Sequence, residues 1–76
     1  MSGAPSVGRI VHYQSYGTPG GEYLPEARAA VITAVEDAEA GVVSAAVLNP
    51  TGLHFNTGLP FAERPTTGHW SWPPRV

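Results

Sequence analysis

Cysteine and lysine are both missing from this chain of 76 residues, and it has no long apolar run. Without cysteine, neither a disulfide nor a thiolate metal site can stabilise a small core. No segment approaches the roughly 20 consecutive apolar residues of a membrane helix, and the start lacks the basic and then apolar pattern of a signal peptide. We therefore expect a single soluble domain over residues 1–76, not exported by a signal of that kind.

Charge is sparse as well: six acidic residues face four basic ones, for a formal net charge of -2. This balance gives no general attraction to nucleic acid or to an anionic membrane, so both are unexpected partners. All the basic residues are arginines, whose planar guanidinium suits phosphate or carboxylate and stacks on aromatic rings. They stand at Arg9, Arg28, Arg64 and Arg75.

Short apolar or alternating segments, separated by turns rich in glycine and proline, predict five β-strands. The acidic stretch 36–41 is expected to be a surface turn, and the Asn49-Pro50-Thr51-Gly52 stretch is expected to close a hairpin. The predicted strands cover residues 8–14, about 28–35, 42–48, 53–57 and 69–72.

Residues 25–41 also allow a helix, because apolar residues recur at helical spacing with Pro25 near the first helical position and Gly41 after the last. The cluster Val31-Ile32-Thr33 and the nearby Val35 oppose a helix, since β-branched side chains lose rotamer freedom there. We favour the strand, and the helix stays as the alternative.

The sequence LHFNT at 53–57 alternates cleanly. It predicts that Leu53 and Phe55 face the core, whereas His54 and Asn56 face outward or line a concave surface. Five such strands predict a mainly β fold, either a small SH3-like barrel or a curled antiparallel sheet. Strand edges left unpaired favour association with a second copy, so we expect a homo-oligomer.

Both ends of the chain carry a resemblance. PSVGRIVHY at 5–13 and GHWSWPPRV at 68–76 resemble the ends of small phage-encoded proteins of unknown function. The similarity extends through RAAVITAV and AVLNPTGLHFN and so covers most of the chain. It implies a phage or prophage origin and does not imply a mechanism.

Aromatic and arginine residues near the chain ends suggest a ligand site. Trp70 and Trp72 share one face of a strand, where they could stack on a ring, or they could simply fill the core. The arginines would hold phosphate groups, and Tyr13 would add a further stacking surface. The candidate ligand-binding residues are Arg9, Tyr13, Arg28, His54, Asn56, Trp70, Trp72 and Arg75.

Catalytic, cofactor and metal signals are weak. His12, His54 and His69 lack metal-ligand spacing, although His12 and His54 could meet across adjacent strands. The glycine-rich loop at 17–21 has no lysine and no Walker spacing, and the carboxylates at 36–39 lie in a solvated turn. We predict no enzyme activity, no cofactor and no metal.

These observations predict a non-enzymatic binding protein. The first hypothesis is a counter-defence factor that sequesters a small nucleotide-type immune signal in the host cytoplasm. The alternative is a virion component that decorates the capsid or tail through aromatic anchors at Tyr16, Tyr23 and Phe61. A third possibility, direct inhibition of a host enzyme, would use the acidic turn at 36–39 as a rim.

Overall fold

Five strands form one antiparallel sheet in the computed structural model, which describes residues 4–16, 26–50 and 52–74. The mainly β prediction is confirmed, because no helix occurs in these residues. The strands are β1 (Ile10–Gln14), β2 (Ala27–Asp37), β3 (Val42–Asn49), β4 (Gly52–Leu59) and β5 (Trp70–Ser71), arranged across the sheet as β4-β3-β2-β1-β5.

The strand interpretation of the ambiguous segment is confirmed, and the helix alternative is wrong. β2 pairs on both sides, with β1 and with β3, so its β-branched residues lie in the middle of the sheet. Residues 29–31 of β2 have a ladder on both sides and the rest pairs with β1 or with β3, and these backbone hydrogen bonds outweigh the helical spacing of its apolar residues. None of the described segments forms a helix long and apolar enough to cross a membrane.

The sheet curls but does not close, so the curled antiparallel sheet describes the fold and the SH3-like barrel does not. β4 pairs with β3 alone. The residues directly after β4 nevertheless reach β5: Ala62 N donates to Trp70 O at 2.9 Å, and Trp70 N donates to Pro60 O at 3.0 Å. β5 therefore hydrogen-bonds to β1 on one side and to the segment after β4 on the other.

One face of the sheet carries the core. Cross-strand partners point to the same face, and the pairs Val11↔Ala30 and Ala30↔Val47 place three buried side chains in one row. We call this the inner face. Its buried apolar residues are Val11, Ala30, Ile32, Val43, Ala45, Val47, Leu59 and Trp70.

Register shifts bend the long strands. In the β2–β3 ladder they fall between Ile32 and Ala34 and between Val35 and Asp37, and β3–β4 has one between Val43 and Ala45. Such irregularities increase local twist and change which face the following residues occupy. For this reason Ile32 and Val35 both contact the core although they are three residues apart.

The predicted facing of β4 is wrong. Leu53 is 56% exposed and Phe55 is 74% exposed, on the face opposite the core. His54 pairs with buried Val47, and Asn56 pairs with buried Ala45, so these polar residues belong to the inner face. Of these two polar residues, His54 is exposed and Asn56 is half-buried. A shift of one residue in register reverses every side chain of a strand.

The acidic turn is exposed, as predicted. A carboxylate oxygen of Asp37 accepts hydrogen bonds from the backbone N–H groups of Glu39 and Ala40, both at 3.1 Å. Gly41 then adopts a φ of 76°, where a side chain is unfavourable. This turn ends the β2–β3 hairpin beside the aromatic residues described next.

Candidate functional site

An open cavity of about 270 Å³ lies where the acidic turn meets the aromatic residues of the chain end. We call it the aromatic pocket. Its size falls slightly below the range of roughly 300–1,000 Å³ that is typical of small-molecule sites. The residues of its wall used below are Pro5, Glu39, Gly41, Phe61, Trp70 and Trp72.

Three aromatic rings form a packed stack along this wall. The Phe61 and Trp70 ring centroids are 4.8 Å apart, with the ring planes tilted by 57°. Trp70 and Trp72 meet edge to face, with centroids 5.2 Å apart and planes at 83°. Such tilted and perpendicular contacts are favourable arrangements for aromatic quadrupoles. The wall is therefore packed without any ligand.

Arg9 lies beside the pocket and stacks on Trp72, with its guanidinium carbon 4.7 Å from the ring centroid. Its backbone is fixed, because Arg9 O accepts a hydrogen bond from Ile32 N at 2.9 Å. None of the side-chain hydrogen bonds between described residues uses the Arg9 guanidinium. The stack thus orients a cation at the rim with N–H donors to offer.

Trp70 belongs to the core and is not an open ligand wall. It is 1% exposed, and its indole Nε1 donates to Gly41 O at 2.7 Å. Trp72 is only half-buried and lines the pocket. Of the two tryptophans, Trp72 is therefore the one that a ligand can contact over a sizeable area. The two tryptophans share a face, and of the two alternatives considered for them the core one describes Trp70, although it also lines the pocket.

Tyr13 and Arg28 form a separate pair, directly opposite each other on β1 and β2. Arg9 precedes Tyr13 by four residues, so about 13 Å of extended chain separates this pair from the aromatic pocket. Arg28 Nε is buried and has no hydrogen-bond partner among the described residues. Burial raises the pKa of Tyr13 above 10.0, and repulsion from Tyr16 adds to the shift.

His54 and Asn56 lie farther across the inner face, on β4 at the edge of the sheet. His12 is on the opposite face, because its partners are Ala29 and Ser71 rather than core residues. The predicted meeting of His12 and His54 is therefore wrong: two strands and the thickness of the sheet separate them. In the described ranges no group of three or more His, Asp or Glu side chains could hold a metal ion.

The seven candidate residues that the structure describes thus do not form one site. Arg9 and Trp72 come together, with Trp70 packed behind them, and Tyr13 and Arg28 form a second pair. Arg75, Tyr23 and the glycine-rich loop at 17–21 lie outside the described residues.

Four of the six pocket residues named above were not among the predicted ligand-binding residues. Phe61 was considered only as an anchor in the virion alternative, whereas the structure shows it half-buried and packed against Trp70. Glu39 and Gly41 were assigned only to the turn. No local signal could have identified them, because residues about 20 to 30 positions apart meet here only through the curl of the sheet. Pro5 belongs to the PSVGRIVHY segment, which indicated a resemblance to phage proteins and no site.

The chemistry of the pocket is that of recognition. Packed aromatic surfaces, the Arg9 guanidinium stacked on Trp72 and Glu39 in the pocket lining can hold a flat ring and orient its charged substituent. Neither the pocket nor the Tyr13–Arg28 pair contains a nucleophile with an adjacent base among the described residues. No known protein family, curated protein or solved structure matches the chain.

Proposed function

We propose that this chain is a non-enzymatic binding protein whose aromatic pocket holds the ring of a small phosphate-bearing, nucleotide-type ligand. The observation that carries the proposal is the Arg9–Trp72 stack at the rim of a preformed aromatic cavity. The ring of the ligand would contact Trp72, and its phosphate would bind the guanidinium that the stack already orients.

The dimensions limit the ligand. A volume of about 270 Å³ accommodates one ring system with its immediate substituents, so a larger signal such as a dinucleotide would insert only one end. Glu39 disfavours phosphate on its own wall, which leaves the Arg9 side for the negative group. In a protein of phage origin, this activity fits sequestration of a host immune signal in the host cytoplasm.

Calorimetry with mononucleotides and cyclic and linear dinucleotides tests the proposal. We expect saturable binding to the full chain, weakened roughly tenfold or more by Arg9→Gln, because a charge-assisted hydrogen bond is lost. Arg64→Gln removes an exposed arginine outside the pocket and is the matched control. Glu39→Gln should tighten binding, since it removes a repulsive charge.

Two outcomes would count against it. Absence of saturable heat with every nucleotide in the panel would eliminate the proposed ligand class. Equal weakening by Arg9→Gln and Arg64→Gln would show that binding follows overall charge and not the pocket. Fluorescence gives an independent check: the ligand should quench the wild-type emission through Trp72, and Trp72→Phe should remove most of that response.

A virion component is the second candidate. The exposure of Tyr16, at 69%, favours it, because an accessible aromatic side chain can anchor a protein on a shell. Phe61 does not support this role, since it packs against Trp70. Mass spectrometry of purified virions separates the candidates: a decoration protein is present in stoichiometric amounts, whereas a sequestering factor is absent.

A further inference from the structure

The face of the sheet opposite the core carries a second apolar surface. Register places Ile10, Val31, Ala46 and Phe55 in one row across four strands. The next row contains Ala29, Leu48 and Leu53, and His12 ends it on β1. We call these eight residues the outer patch. Its large side chains are exposed: Ile10 by 60%, Leu48 by 41%, Leu53 by 56% and Phe55 by 74%.

The side chains of the outer patch differ in size, so its surface is not flat. Leu53 and Phe55 stand on β4, with Leu48 beside them, and form a ridge along one side of the face. Ala29 and Ala46, with the half-buried Val31, lie on the two central strands beside this ridge and have smaller side chains, so we treat them as its floor. Under two-fold rotation, the ridge of one copy can lie over the floor of another, which is the self-complementarity that a symmetric dimer requires.

Charge is confined to the margin of this face. No Asp, Glu, Lys or Arg occurs among the eight patch residues. The carboxylate of Glu36 accepts hydrogen bonds from the Ser44 hydroxyl and from Gly58 N, toward the end of the face near the β2–β3 turn. An uncharged centre with a polar margin is the usual composition of a protein interface.

The area is close to what a dimer needs. Four strands spaced about 4.8 Å apart and two rows about 7 Å apart along each strand, with the breadth of the side chains added, give a patch of roughly 200–300 Å² in projection. Projecting side chains increase the accessible area, so two such patches in contact bury somewhat less than the roughly 1,000 Å² of a stable specific interface, which places the contact among weak, transient ones. This is compatible with a reversible dimer.

We infer that the outer patch is a self-association surface, against which a second copy of this chain packs its own outer patch face to face. The two sheets would then form a sandwich about 10 Å thick. A second copy suits the surface because it brings an equally uncharged face, so the two acidic chains approach without burying a charge. The inference goes beyond the proposed ligand site, which lies elsewhere.

Analytical ultracentrifugation of the full chain over a wide concentration range tests the inference. We expect reversible monomer–dimer behaviour with a dissociation constant in roughly the micromolar range. The variant Ile10→Thr/Phe55→Thr should weaken the dimer by more than about tenfold, because it removes two large apolar contacts. Val7→Thr is the matched control, since Val7 is 67% exposed but lies outside the outer patch.

Threonine is chosen because it keeps strand propensity and leaves the β4 backbone able to pair. Circular dichroism and thermal melting should show that the double variant is folded. A wild-type chain that stays monomeric at all concentrations would overturn the inference. So would a dimer that survives the double substitution, since that dimer would use edge pairing or another surface. A monomer that binds virion shells through the outer patch would overturn it as well.

Discussion

Trp70 links three parts of the molecule with one side chain. Its ring packs in the core, its indole N–H reaches Gly41 in the turn after β2, and its backbone bonds the segment after β4. In a domain of 76 residues, one aromatic ring supplies a considerable share of the buried apolar surface. We therefore treat Trp70 as structural and Trp72 as the tryptophan available to a ligand.

Replacement of Trp70 by Phe should destabilise the fold by roughly 1–3 kcal/mol, because the part-buried Gly41 carbonyl loses its partner and the smaller ring leaves space. Urea denaturation followed by circular dichroism measures this change. Trp72→Phe is the control and should cost clearly less, since Trp72 is only half-buried. Equal losses would contradict the division of roles between the two tryptophans.

Tyr13 makes stability dependent on alkaline pH. Burial raises the pKa of Tyr13 in the folded chain, whereas the unfolded chain has the ordinary value of 10.0. Above that value the unfolded chain releases the proton first, so the folded state loses free energy relative to it as pH rises. Below pH 10.0 the proton is bound in both states and the term is constant.

We expect urea stability to fall as pH rises through 10.0 toward the raised value, and Tyr13→Phe to reduce that fall. Ultraviolet absorbance of tyrosinate follows the titration directly, and the Tyr16→Phe variant provides the comparison. Because Tyr16 contributes the smaller part of the shift, its removal should lower the pKa of Tyr13 only slightly. A Tyr13→Phe chain with an unchanged alkaline profile would refute this assignment.

Among the elements, β5 is short but connects the two sides of the curl. It pairs with β1 through His12↔Ser71 and Tyr13↔Trp70, while residues 60–62 bond Trp70 from the other side. Removal of this strand therefore exposes the core residues of β1 and frees the segment after β4. The effect of a tail deletion should depend strongly on where the deletion begins.

Deletion of residues 70–76 should unfold the domain, because β5 and the largest core side chain are both lost. Deletion of residues 73–76 is the matched control. It keeps Trp70 and Trp72 in place and should leave the fold intact. Circular dichroism and cooperative thermal melting distinguish the two. A folded chain without residues 70–76 would show that the tail is dispensable.

Local patterns predicted the elements well and their facing less well. β-branched clusters and glycine or proline boundaries gave five strands close to their observed positions, including β2 despite its helical spacing. The alternation of residues 53–56 correctly indicated a strand, but it assigned Leu53 and Phe55 to the core face of the sheet, and they lie on the opposite face. Because both faces of this sheet are rich in apolar residues, hydrophobicity alone could not choose between them.

The aromatic pocket was harder still to predict from sequence. Arg9 and Trp72 are far apart in the chain and meet because β1 and β5 are neighbours. Sequence indicated both residue types as ligand candidates, but it did not indicate that Tyr13 and Arg28 belong to a different place. The irregular ladder of β2 bends the sheet, and no periodicity in the sequence encodes that bend.

At the scale of the whole molecule, a small core faces a second apolar surface across a single sheet. A chain of this size has a thin margin of stability, since it buries only about 60% of the surface of its unfolded state. Association through the outer patch would cover Ile10, Leu48, Leu53 and Phe55 and add burial that the monomer cannot achieve. Folding stability and association should therefore be coupled.

This coupling predicts a melting temperature that depends on protein concentration. When only the folded chain associates, each tenfold rise in concentration stabilises a dimer by about 1.4 kcal/mol, or about 0.7 kcal/mol per chain. For a domain of this length, that corresponds to a rise of about 3–5 °C. The Ile10→Thr/Phe55→Thr variant should show a clearly smaller rise in melting temperature with concentration, and Val7→Thr should behave as wild type. Calorimetric melts across a hundredfold concentration range test this prediction. Over that range the melting temperature of the wild-type chain should rise by roughly twice the amount expected for a tenfold change. A concentration-independent melt of the wild-type chain would mean that its outer patch contributes no coupling between copies.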